Sequence, residues 1–428
     1  MQVVRKMDSR LRGNDAIAMV RHTLGSKEDI MQLADKKITL GITGGIAAYK
    51  AAELVRLLTQ QGAQVQVVMT QAATQFITPV TMQALSGNPV FTDQWDARAV
   101  GDKANNMAHI NLSREADAIV VAPASADFLA KVAHGLADDL LSTLCLARSC
   151  PLLVAPAMNR EMWDNVATQR NVAQCRADRV VILGPVSGDQ ACGEVGMGRM
   201  LEAADLVQDL IAYFTPKVFK DRRVLITAGP TYEPIDPVRG ITNSSSGKMG
   251  FAIARAAAEA GARVTLVTGP TALPTPRQVR RVDVQTAQQM MDEVLGYVNR
   301  AEIFIAVAAV ADWRVENTST QKIKKTATVD ATLKLVQNPD ILATVAGLAN
   351  PPYCVGFAAE SQNLETYVQE KRRAKNVPMM VGNLAQTALG SDHNELLICD
   401  EKAVTPLPRA SKDELARQLV TLIAKRIG

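Results

Sequence analysis

Residues 36–45 read KKITLGITGG, a basic pair followed by a short apolar run and a glycine-bearing turn. The same order returns at residues 222–231, which read RRVLITAGPT. In each half a helical pattern follows, and then another apolar run, at 65–69 and at 264–268. Short continuous apolar strands that alternate with helices are typical of parallel sheets covered on both faces. The sequence therefore predicts two tandem doubly wound α/β domains.

Further apolar runs set the extent of each domain. They lie at 118–122, 152–155 and 180–183 in the first half, and at 303–307, 353–356, 379–381 and 396–399 in the second. A helix near 201–214 is stopped by Pro216, and a last helix is predicted over 412–427. We therefore predict a first domain over 36–214, a linker over 215–221 and a second domain over 222–428. Residues 1–35 are expected to be a disordered extension, or an upstream start that precedes Met31 as the natural one.

Composition excludes several classes of function. The net charge is +4 and aromatic residues make up 4%, so neither a basic surface nor a stacking platform for nucleic acid is expected. No apolar run approaches the roughly 20 residues that span a bilayer. The six cysteines form no CxxC pair and no Cys/His cluster, which argues against a zinc site and favours a reducing cytoplasm.

Three loops of the first domain follow predicted strands or cap helices, where ligands bind in parallel sheets. They are Thr43-Gly44-Gly45, the loop of Ser125, and the turn 134–142 that ends at Ser142. Bare N–H groups at a strand-to-helix turn suit a phosphate, although the GxGxxG spacing is absent and a tight structural turn is the alternative.

Three further residues could carry chemistry. His109 is one of four histidines and could act as a base, or be an ordinary structural residue. Asn159 follows a strand, where its amide could hold a carboxylate or cap the next helix. Cys192 lies among four glycines within residues 188–198, a composition typical of a mobile active-site lid.

In order, GITGGIAAYK (41–50), HINL (109–112), APASADFLAK (122–131), PAMN (156–159) and QACGEVGMGR (190–199) resemble the flavin-dependent 4′-phosphopantothenoylcysteine decarboxylase family. The resemblance implies a flavodoxin-like or Rossmann-like domain that binds FMN. It implies that the residues near the flavin are Thr43, Gly44, Gly45, Thr70, Ser125 and Ser142. It makes His109 the base, places Asn159 on the substrate, and makes Cys192 the acid that completes the reaction. Met197 stands where many family loops have proline.

The chemistry of that family explains the need for a flavin. A carboxylate beside an amide nitrogen has no electron sink, so oxidation of the neighbouring CH₂–SH to a thioaldehyde by flavin supplies one as CO₂ leaves. Reduced flavin then returns hydride to the enethiol, and a thiol supplies the proton. The cofactor carries the difficult step while the protein positions it.

The second domain contains a polar loop, residues 236–250, that leads into a helix. Its Ser-Gly-Lys portion suits an anion at a helix N-terminus or is an ordinary capping run, and the P-loop spacing is absent. The run KIKK at 322–325 could bind phosphates or form a solvated face. Lys371 and Lys375 are spaced to share one face of a helix.

The segments AGPTYEPIDPVRGITNSSSGKMG (228–250), AAVADW (308–313), KIKK (322–325), NPDI (338–341) and GFAAE (356–360) resemble the phosphopantothenate–cysteine ligase family. The resemblance implies a Rossmann-like domain that uses CTP and Mg²⁺, with the metal held mainly by the CTP phosphates and no protein ligands assigned. It places phosphopantothenate and the reaction intermediate on Arg239 and Asn243, with Asn243 and Lys322 as the catalytic residues. It assigns CTP to Ala306, Val307, Ala308, Asp312, Lys322, Asn338, Pro339, Asp340, Ile341, Phe357, Lys371 and Lys375. Ser244 stands where family members often have histidine.

Together the halves resemble bifunctional bacterial enzymes of coenzyme A biosynthesis, in which the ligase product is the decarboxylase substrate. The substrates expected are 4′-phosphopantothenate, cysteine and CTP, in the cytoplasm, with no nucleic acid or membrane partner. The families further imply a homo-oligomer of decarboxylase trimers and ligase dimers, a dodecamer. The alternatives are a non-catalytic flavin-binding regulatory relative, which the presence of His109, Asn159 and Cys192 disfavours, and a plain dehydrogenase, which the missing fingerprint disfavours.

Overall fold

The first sheet is parallel throughout. The structure, a computed structural model, describes residues 31–95, 108–191, 193–324, 332–384, 386 and 390–428. The strands of the sheet are β1 (Lys37–Ile42), β2 (Gln64–Met69), β3 (Ala118–Ala124), β4 (Leu152–Pro156) and β5 (Val181–Ile182). They lie in the order β2-β1-β3-β4-β5, so the chain reverses its direction of winding at β1. Their apolar runs are buried on both faces, which confirms the predicted doubly wound fold.

Helices cover both faces of this sheet, with their apolar stripes turned inward. They are α1 (Tyr49–Gln60), α2 (Pro79–Ser86), α3 (Ala108–Arg114), α4 (Ala126–His134), α5 (Leu140–Ala147), α6 (Arg160–Asp164), α7 (Val166–Ala177) and α8 (Ala203–Phe214). Between α7 and α8 a hairpin forms from β6 (Val186–Asp189) and β7 (Val195–Arg199), which pair with each other and not with the main sheet.

The start of the first domain lies earlier than predicted. Residues 32–35 form a turn, and the Leu33 side chain is fully buried in the core with Ile38 and Leu58. The backbone N–H of Leu33 donates to Gln61 O at 2.9 Å, at the end of α1. The prediction of an extension that runs to residue 35 is therefore wrong for its last residues, because Leu33 adds an apolar side chain to the core.

The second sheet has eight strands among the described residues, and six of them are parallel. Together with the short strands of the second domain they are β8 (Arg223–Ala228), β9 (Glu233–Pro234), β10 (Gly240–Ile241), β11 (Arg263–Thr268), β12 (Val279–Asp283), β13 (Ile303–Ala306), β14 (Trp313–Val315), β15 (Leu335–Gln337), β16 (Tyr353–Glu360), β17 (Met379–Leu384), β18 (His393–Asp400) and β19 (Val404–Ser411). The order in the large sheet is β12-β11-β8-β13-β16-β17-β18-β19, in which β18 and β19 run antiparallel to their neighbours.

Helices again lie on both faces of the large sheet. They are α9 (Lys248–Glu259), α10 (Ala287–Val298), α11 (Ile341–Ala346), α12 (Leu364–Ala374) and α13 (Lys412–Ile427). The last of these has the bounds that the sequence predicted. None of the helices in the described ranges has the length and apolar character needed to cross a membrane.

The predicted linker is partly integrated into the second domain. Phe219 is fully buried and packs in the core with Val224 and Leu266, while its N–H donates to Ala260 O at 2.9 Å. The prediction of a connecting segment that runs to residue 221 is therefore corrected, because an aromatic side chain within it is part of the second core.

A charged contact joins the two domains. The Arg277 guanidinium bonds the Asp209 carboxylate in a bidentate fashion, with Nε–Oδ1 and Nη2–Oδ2 distances that are both 2.7 Å. Asp209 lies on α8 of the first domain and is almost completely buried. Removing either partner of such a pair leaves a poorly solvated charge, so the contact helps to fix the two domains to each other.

The burial of Phe219 predicts its contribution to stability. Replacement by alanine leaves a cavity beneath β8 and β11, and we expect Phe219→Ala to lower the free energy of unfolding by about 3–5 kcal/mol. Urea unfolding followed by circular dichroism measures the loss. The neighbouring Val218 is 44% exposed and provides the control Val218→Ala, for which little change is expected. Equal losses in both variants would show that the segment is not part of the core.

Candidate functional sites

A cavity of about 530 Å³ lies at the carboxyl edge of the first sheet. This size is within the range of pockets that bind small molecules and cofactors. Its walls come from the turn after β1, the start of α4, the loop after β4 and the β6–β7 hairpin. Four predicted site residues line it together, namely Gly44, Gly45, Ser125 and Asn159.

Thr43 lies beneath the cavity and does not line it. Its buried hydroxyl donates to Pro123 O at 2.8 Å and accepts the Ser125 N–H at 2.9 Å. It therefore ties the turn after β1 to the loop after β3. The next residue needs to be glycine, because a Cβ on Gly44 would stand 2.6 Å from the Ala72 Cβ, whereas one on Gly45 would meet nothing within 4 Å.

Ser125 and Asn159 are both N-cap residues at the mouth of the cavity. The Asn159 Oδ1 accepts the Met162 N–H at 3.1 Å, which leaves the amide nitrogen directed to carboxylates. The Asn159 Nδ2 donates to Glu194 Oε2 at 2.7 Å and to Glu161 Oε2 at 3.0 Å. The Arg160 guanidinium, with the help of the local backbone and Asn159, lowers the pKa of Glu161 to about 2. Asn159 thus caps α6, and its amide nitrogen bonds two carboxylates of the protein itself.

The hairpin is fastened to the start of α6. The Gln190 Oε1 accepts the Arg160 N–H at 3.0 Å, and its Nε2 donates to Met197 O at 3.0 Å. The backbone N–H of Met158 donates to Gly198 O, also at 3.0 Å. Cys192, between Gln190 and Glu194, lies outside the described residues. The hairpin therefore forms one wall of the cavity.

Lys50 is a cavity residue that the sequence reasoning missed. It is nearly buried, and its Nζ donates to Glu202 Oε1 at 2.7 Å and to Met200 O at 3.3 Å. This ammonium group lowers the pKa of Glu202 below its ordinary value. The sequence contained a signal, because Lys50 is spaced to share one apolar helical face with Ala47 and Leu54. A charged side chain buried on such a face is costly unless it has a partner. A partly neutralised cation at the cavity suits an anionic ligand.

The other predicted residues of this domain lie elsewhere. Ser142 is buried in a capping box at the start of α5, where its hydroxyl and backbone are bonded to Asp139. Thr70 accepts the Ala73 N–H at 3.3 Å after β2. Neither residue lines the cavity of its own chain, so their flavin role stays a prediction. His109 is the second residue of α3, and its side chain lies outside the described part of the structure.

The residues around this cavity fit an FMN molecule. Its volume is sufficient, and the Gly44–Gly45 turn lets backbone approach a ligand without steric hindrance from side chains. The Lys50 ammonium and the N-terminus of α4 supply positive potential for a phosphate. The apolar side chains of Ile46 and Met162 at the cavity suit a ring system.

A second, smaller cavity of about 170 Å³ lies at the carboxyl edge of the large sheet. The loop 245–250 meets the end of β13 here, so Val307, Ala308 and Phe357 of the predicted CTP residues line it together. The sequence reasoning did not select its polar lining residues from the end of the chain, Asn383, Asn394 and Lys412. They come from β17, β18 and α13, which only the fold brings to the loop.

Asn243 joins the polar loop to the end of β13. Its Nδ2 donates to Ala309 O at 2.6 Å, and its Oδ1 accepts the Ser245 N–H at 3.0 Å. Ala308, in turn, donates its N–H to Thr227 Oγ1 at 3.3 Å. The exposed Asn243 amide therefore stands at the junction of the two segments that line the cavity.

Another group of predicted residues surrounds the start of α11. Asn338 is buried, and its Nδ2 donates to Ala311 O at 2.7 Å, while its N–H bonds Asp312 O at 2.9 Å. Asp340 caps α11 and bonds the Lys375 Nζ. Ile341 is buried in the core as the first residue of α11, and Pro339 lies between Asn338 and Asp340 in the chain.

Two predicted cations already have partners in the protein. The Lys375 Nζ lies 2.5 Å from Asp340 Oδ2, and the Lys371 Nζ lies 2.7 Å from Glu360 Oε1. The Lys375 ammonium lowers the pKa of Asp340 even though burial of that carboxyl acts to raise it. Ala306 ends β13, whereas Asp312 is exposed. These groups are not among the residues that line the small cavity.

Arg239 and Lys322 are brought together by a buried carboxylate. Arg239 bonds Asp236 Oδ2 through its Nε at 3.0 Å, and its Nη2 donates to Ile323 O at 2.9 Å. Lys322 is the exposed residue just before Ile323. Within the described ranges, no group of three or more His, Cys, Asp or Glu residues could hold a metal ion.

Two family models cover the chain. The model described as "Flavoprotein" matches residues 27–215, and that of the "DNA/pantothenate metabolism flavoprotein C-terminal domain" matches residues 219–427. The two models together with the observed fold define the class of the chain as a two-domain α/β flavoprotein.

Comparison with curated proteins makes this assignment specific. The chain is 50% identical over 403 residues to the coenzyme A biosynthesis bifunctional protein CoaBC of Vibrio cholerae, a match that covers 93% of this chain and 100% of that protein. The corresponding proteins of Escherichia coli and Bacillus subtilis are 49% and 38% identical over 92% of this chain. The chain therefore belongs to the CoaBC family.

Solved structures match each half separately. The C-terminal domain of a CoaBC protein is 38% identical and covers 49% of this chain and 98% of its own, with a TM-score of 0.43. A PPC decarboxylase mutant complexed with pantothenoylaminoethenethiol is 30% identical and covers 42% of this chain and 98% of its own, with a TM-score of 0.38.

The position of Gly198 predicts how the hairpin wall responds to substitution. Its φ is +123°, and an added Cβ would lie 2.4 Å from Met158 O, so Gly198→Ala must displace β7 from the loop between β4 and α6. Gly193, with φ +84° and open space around it, is the matched control. We expect Gly193→Ala to cost only the left-handed penalty of about 1–2 kcal/mol, and Gly198→Ala to cost more. Thermal unfolding checks this, and a smaller loss for Gly198→Ala would contradict the described packing.

Proposed function

We propose that the chain catalyses two consecutive steps of coenzyme A biosynthesis. The second domain joins cysteine to 4′-phosphopantothenate with CTP, through an acyl-cytidylate. The first domain, with FMN, then decarboxylates the resulting phosphopantothenoylcysteine to 4′-phosphopantetheine. The observation that carries this proposal is the 50% identity to a CoaBC protein over 93% of the chain, which includes both cavities. A non-catalytic regulatory role is not favoured by that match.

In the first domain the proposed roles follow the geometry of the large cavity. FMN, when bound, would supply the oxidation and reduction that make loss of CO₂ possible. Gly44, Gly45 and Ser125 would hold it, with Thr43 fixing the two loops below. The Asn159 amide would bind the substrate carboxylate, and its bond to the Glu194 carboxylate supports this role. His109 as base and Cys192 as acid follow from the family resemblance.

In the second domain the proposed CTP site includes the small cavity and the loops around it. Val307, Ala308 and Phe357 would contact the nucleotide. Lys322 would stabilise the negative charge that develops on the transferred group, and Lys371 and Lys375 would bind phosphates once released from their carboxylates. Mg²⁺ would be held mainly by the CTP phosphates.

The assembly and location expected from the families are proposed as well. Trimers of the first domain and dimers of the second would form a dodecamer. Large apolar side chains at the rim of the large cavity support an interface there, since Tyr49 is 61% exposed and Ile46 is 62% exposed. The five cysteines in the described residues form no disulfides, which supports a cytoplasmic location.

Purified full-length protein tests the function directly. We expect a yellow protein that releases pyrophosphate from CTP only when both cysteine and 4′-phosphopantothenate are present. Mass spectrometry should then detect phosphopantothenoylcysteine and, after it, 4′-phosphopantetheine. Omission of cysteine is the control for simple CTP hydrolysis. A colourless protein that releases no pyrophosphate would refute both halves of the proposal.

Asn243 provides a test of which domain performs which step. Asn243→Asp replaces the amide donor to Ala309 O by a carboxylate, so we expect the loops at the small cavity to separate and ligation to fall by about 100-fold. Decarboxylation of supplied phosphopantothenoylcysteine should not change. Asn299→Asp, at the exposed C-terminal end of α10, is the matched control. Equal loss of both activities in Asn243→Asp would contradict the assignment to the second domain.

A further inference from the structure

We propose that Asp236 is a positioning residue of the ligase site, which holds the segment carrying Lys322 against the loop carrying Arg239. The inference rests on the proposed function of this domain and assigns a role to a residue that would touch no substrate. Asp236 is 2% exposed and lies between β9 and β10, beside the two loops that it joins.

The Asp236 carboxylate bonds the backbone of the loop in which it lies, between β9 and β10. Its Oδ1 accepts the N–H of Val238 at 2.8 Å and that of Arg239 at 2.9 Å. These bonds close a tight turn through Pro237 and fix the backbone from which the Arg239 side chain starts. A buried carboxylate that receives several N–H bonds holds its neighbours more precisely than solvent-exposed contacts do, because no water competes for the same donors.

The same carboxylate also binds a segment that is distant in the sequence. Its Oδ2 accepts the Ile323 N–H at 3.2 Å, while the Arg239 Nη2 donates to Ile323 O at 2.9 Å. Asp236 therefore accepts the backbone N–H of Ile323, and Arg239 donates to its backbone C=O. Both backbone polar groups of one residue are bonded to this pair. Ile323 lies between Lys322 and Lys324, so the position of Lys322 depends on this double contact.

Further bonds extend the contact along both segments. The Ser319 N–H donates to Ile235 O at 3.0 Å, and the Thr318 hydroxyl donates to Pro234 O at 3.1 Å. The segment 318–323 therefore runs beside 234–239, with Asp236 at its end nearest Lys322. Without that carboxylate, the Ile323 N–H would lose its acceptor and the Arg239 guanidinium, which bonds Ile323 O, would lose the anion that orients it.

Charge gives Asp236 a second effect on the site. Arg239, Lys322 and Lys324 would repel one another, and the buried carboxylate offsets part of that repulsion while it leaves an excess of positive charge for phosphates. The Arg239 guanidinium, together with the three backbone donors, holds the pKa of Asp236 well below its usual range. Because the folded-state pKa is depressed, this stabilisation is present above the ordinary pKa of a carboxyl group and is lost only as the pH falls through the folded value. The contact therefore persists at neutral pH.

Glu233 offers a matched comparison in the same segment. It is also 2% exposed, and its Oε1 accepts the Ala287 N–H at 2.8 Å, at the start of α10. It is thus a buried carboxylate that supports a helix, with no described bond to residues 318–323. A variant of Glu233 reports what the loss of a buried negative charge does to the domain in general.

The experiment uses the full-length chain with Asp236→Asn and Glu233→Gln. Asparagine keeps the shape of Asp236 but replaces one carboxylate oxygen by an NH₂ group. That group would face N–H donors, so the hydrogen bonds to Ile323 or to Arg239 are lost. We expect ligase kcat/KM, measured by pyrophosphate release, to fall by about 100-fold, with an increased KM for phosphopantothenate. Decarboxylation of supplied phosphopantothenoylcysteine should be unchanged, and Glu233→Gln should retain ligation.

Hydrogen exchange distinguishes the loss of a local contact from a general loss of stability in the domain. In Asp236→Asn, amides of residues 318–324 should exchange faster while those of β8 and β13 keep their protection. Unchanged exchange at 318–324, unchanged ligation in Asp236→Asn, or an equal loss in Glu233→Gln would each overturn the inference. If the wild-type chain released no pyrophosphate, the proposed function would fail, and the exchange comparison would still decide whether Asp236 anchors the segment.

Discussion

Burial of two parallel sheets on both faces is the constraint on which the rest of this molecule depends. Strands such as β3 and β13 are apolar along their length because helices cover both sides of each sheet. Polar groups are therefore confined to the ends of the strands, and parallel strands place all their carboxyl ends at one edge. Both cavities lie at such an edge. The same requirement thus creates two binding sites in one chain without any similarity in their loops.

Inside each site, the loops are held by polar bonds between residues that are far apart in the sequence. Thr43 bonds the loop after β3, Lys50 bonds Glu202, and Asp236 bonds Ile323. In all three cases the bonding group is buried or nearly so, and the groups that would contact ligands lie beside it. Precise positioning of the ligand-facing groups therefore comes from a layer of residues that the ligand does not touch.

The strands and the clustering of several site residues could be predicted because they depend on local pattern. Apolar runs predicted the five strands of the first sheet and six of the eight strands of the large sheet, whereas β12 and β19 were not predicted. The rule that ligands bind in loops at the carboxyl ends of parallel strands brought Gly44, Ser125 and Asn159 together. Ser142 shows the limit, since a hydroxyl near a turn is equally suited to a helix cap, and here the cap is formed. Lys50–Glu202 and Asp236–Ile323 could not be found in this way, because each joins residues whose proximity arises only after the whole domain has folded. The antiparallel direction of β18 also escaped prediction, because a short apolar run does not reveal its direction.

The outer strand of the large sheet has a consequence for how copies of this chain can meet. β19 carries Pro406 and Pro408, and among the strands of the described residues it pairs with β18 alone. Proline has no N–H, and within sheets it is tolerated mainly where that group would face solvent on an edge strand. Two positions of the outer edge therefore offer no donor to an added strand, which protects the sheet from edge-to-edge aggregation. A homo-oligomer built from this domain is therefore not expected to join its subunits by strand pairing along the β19 edge.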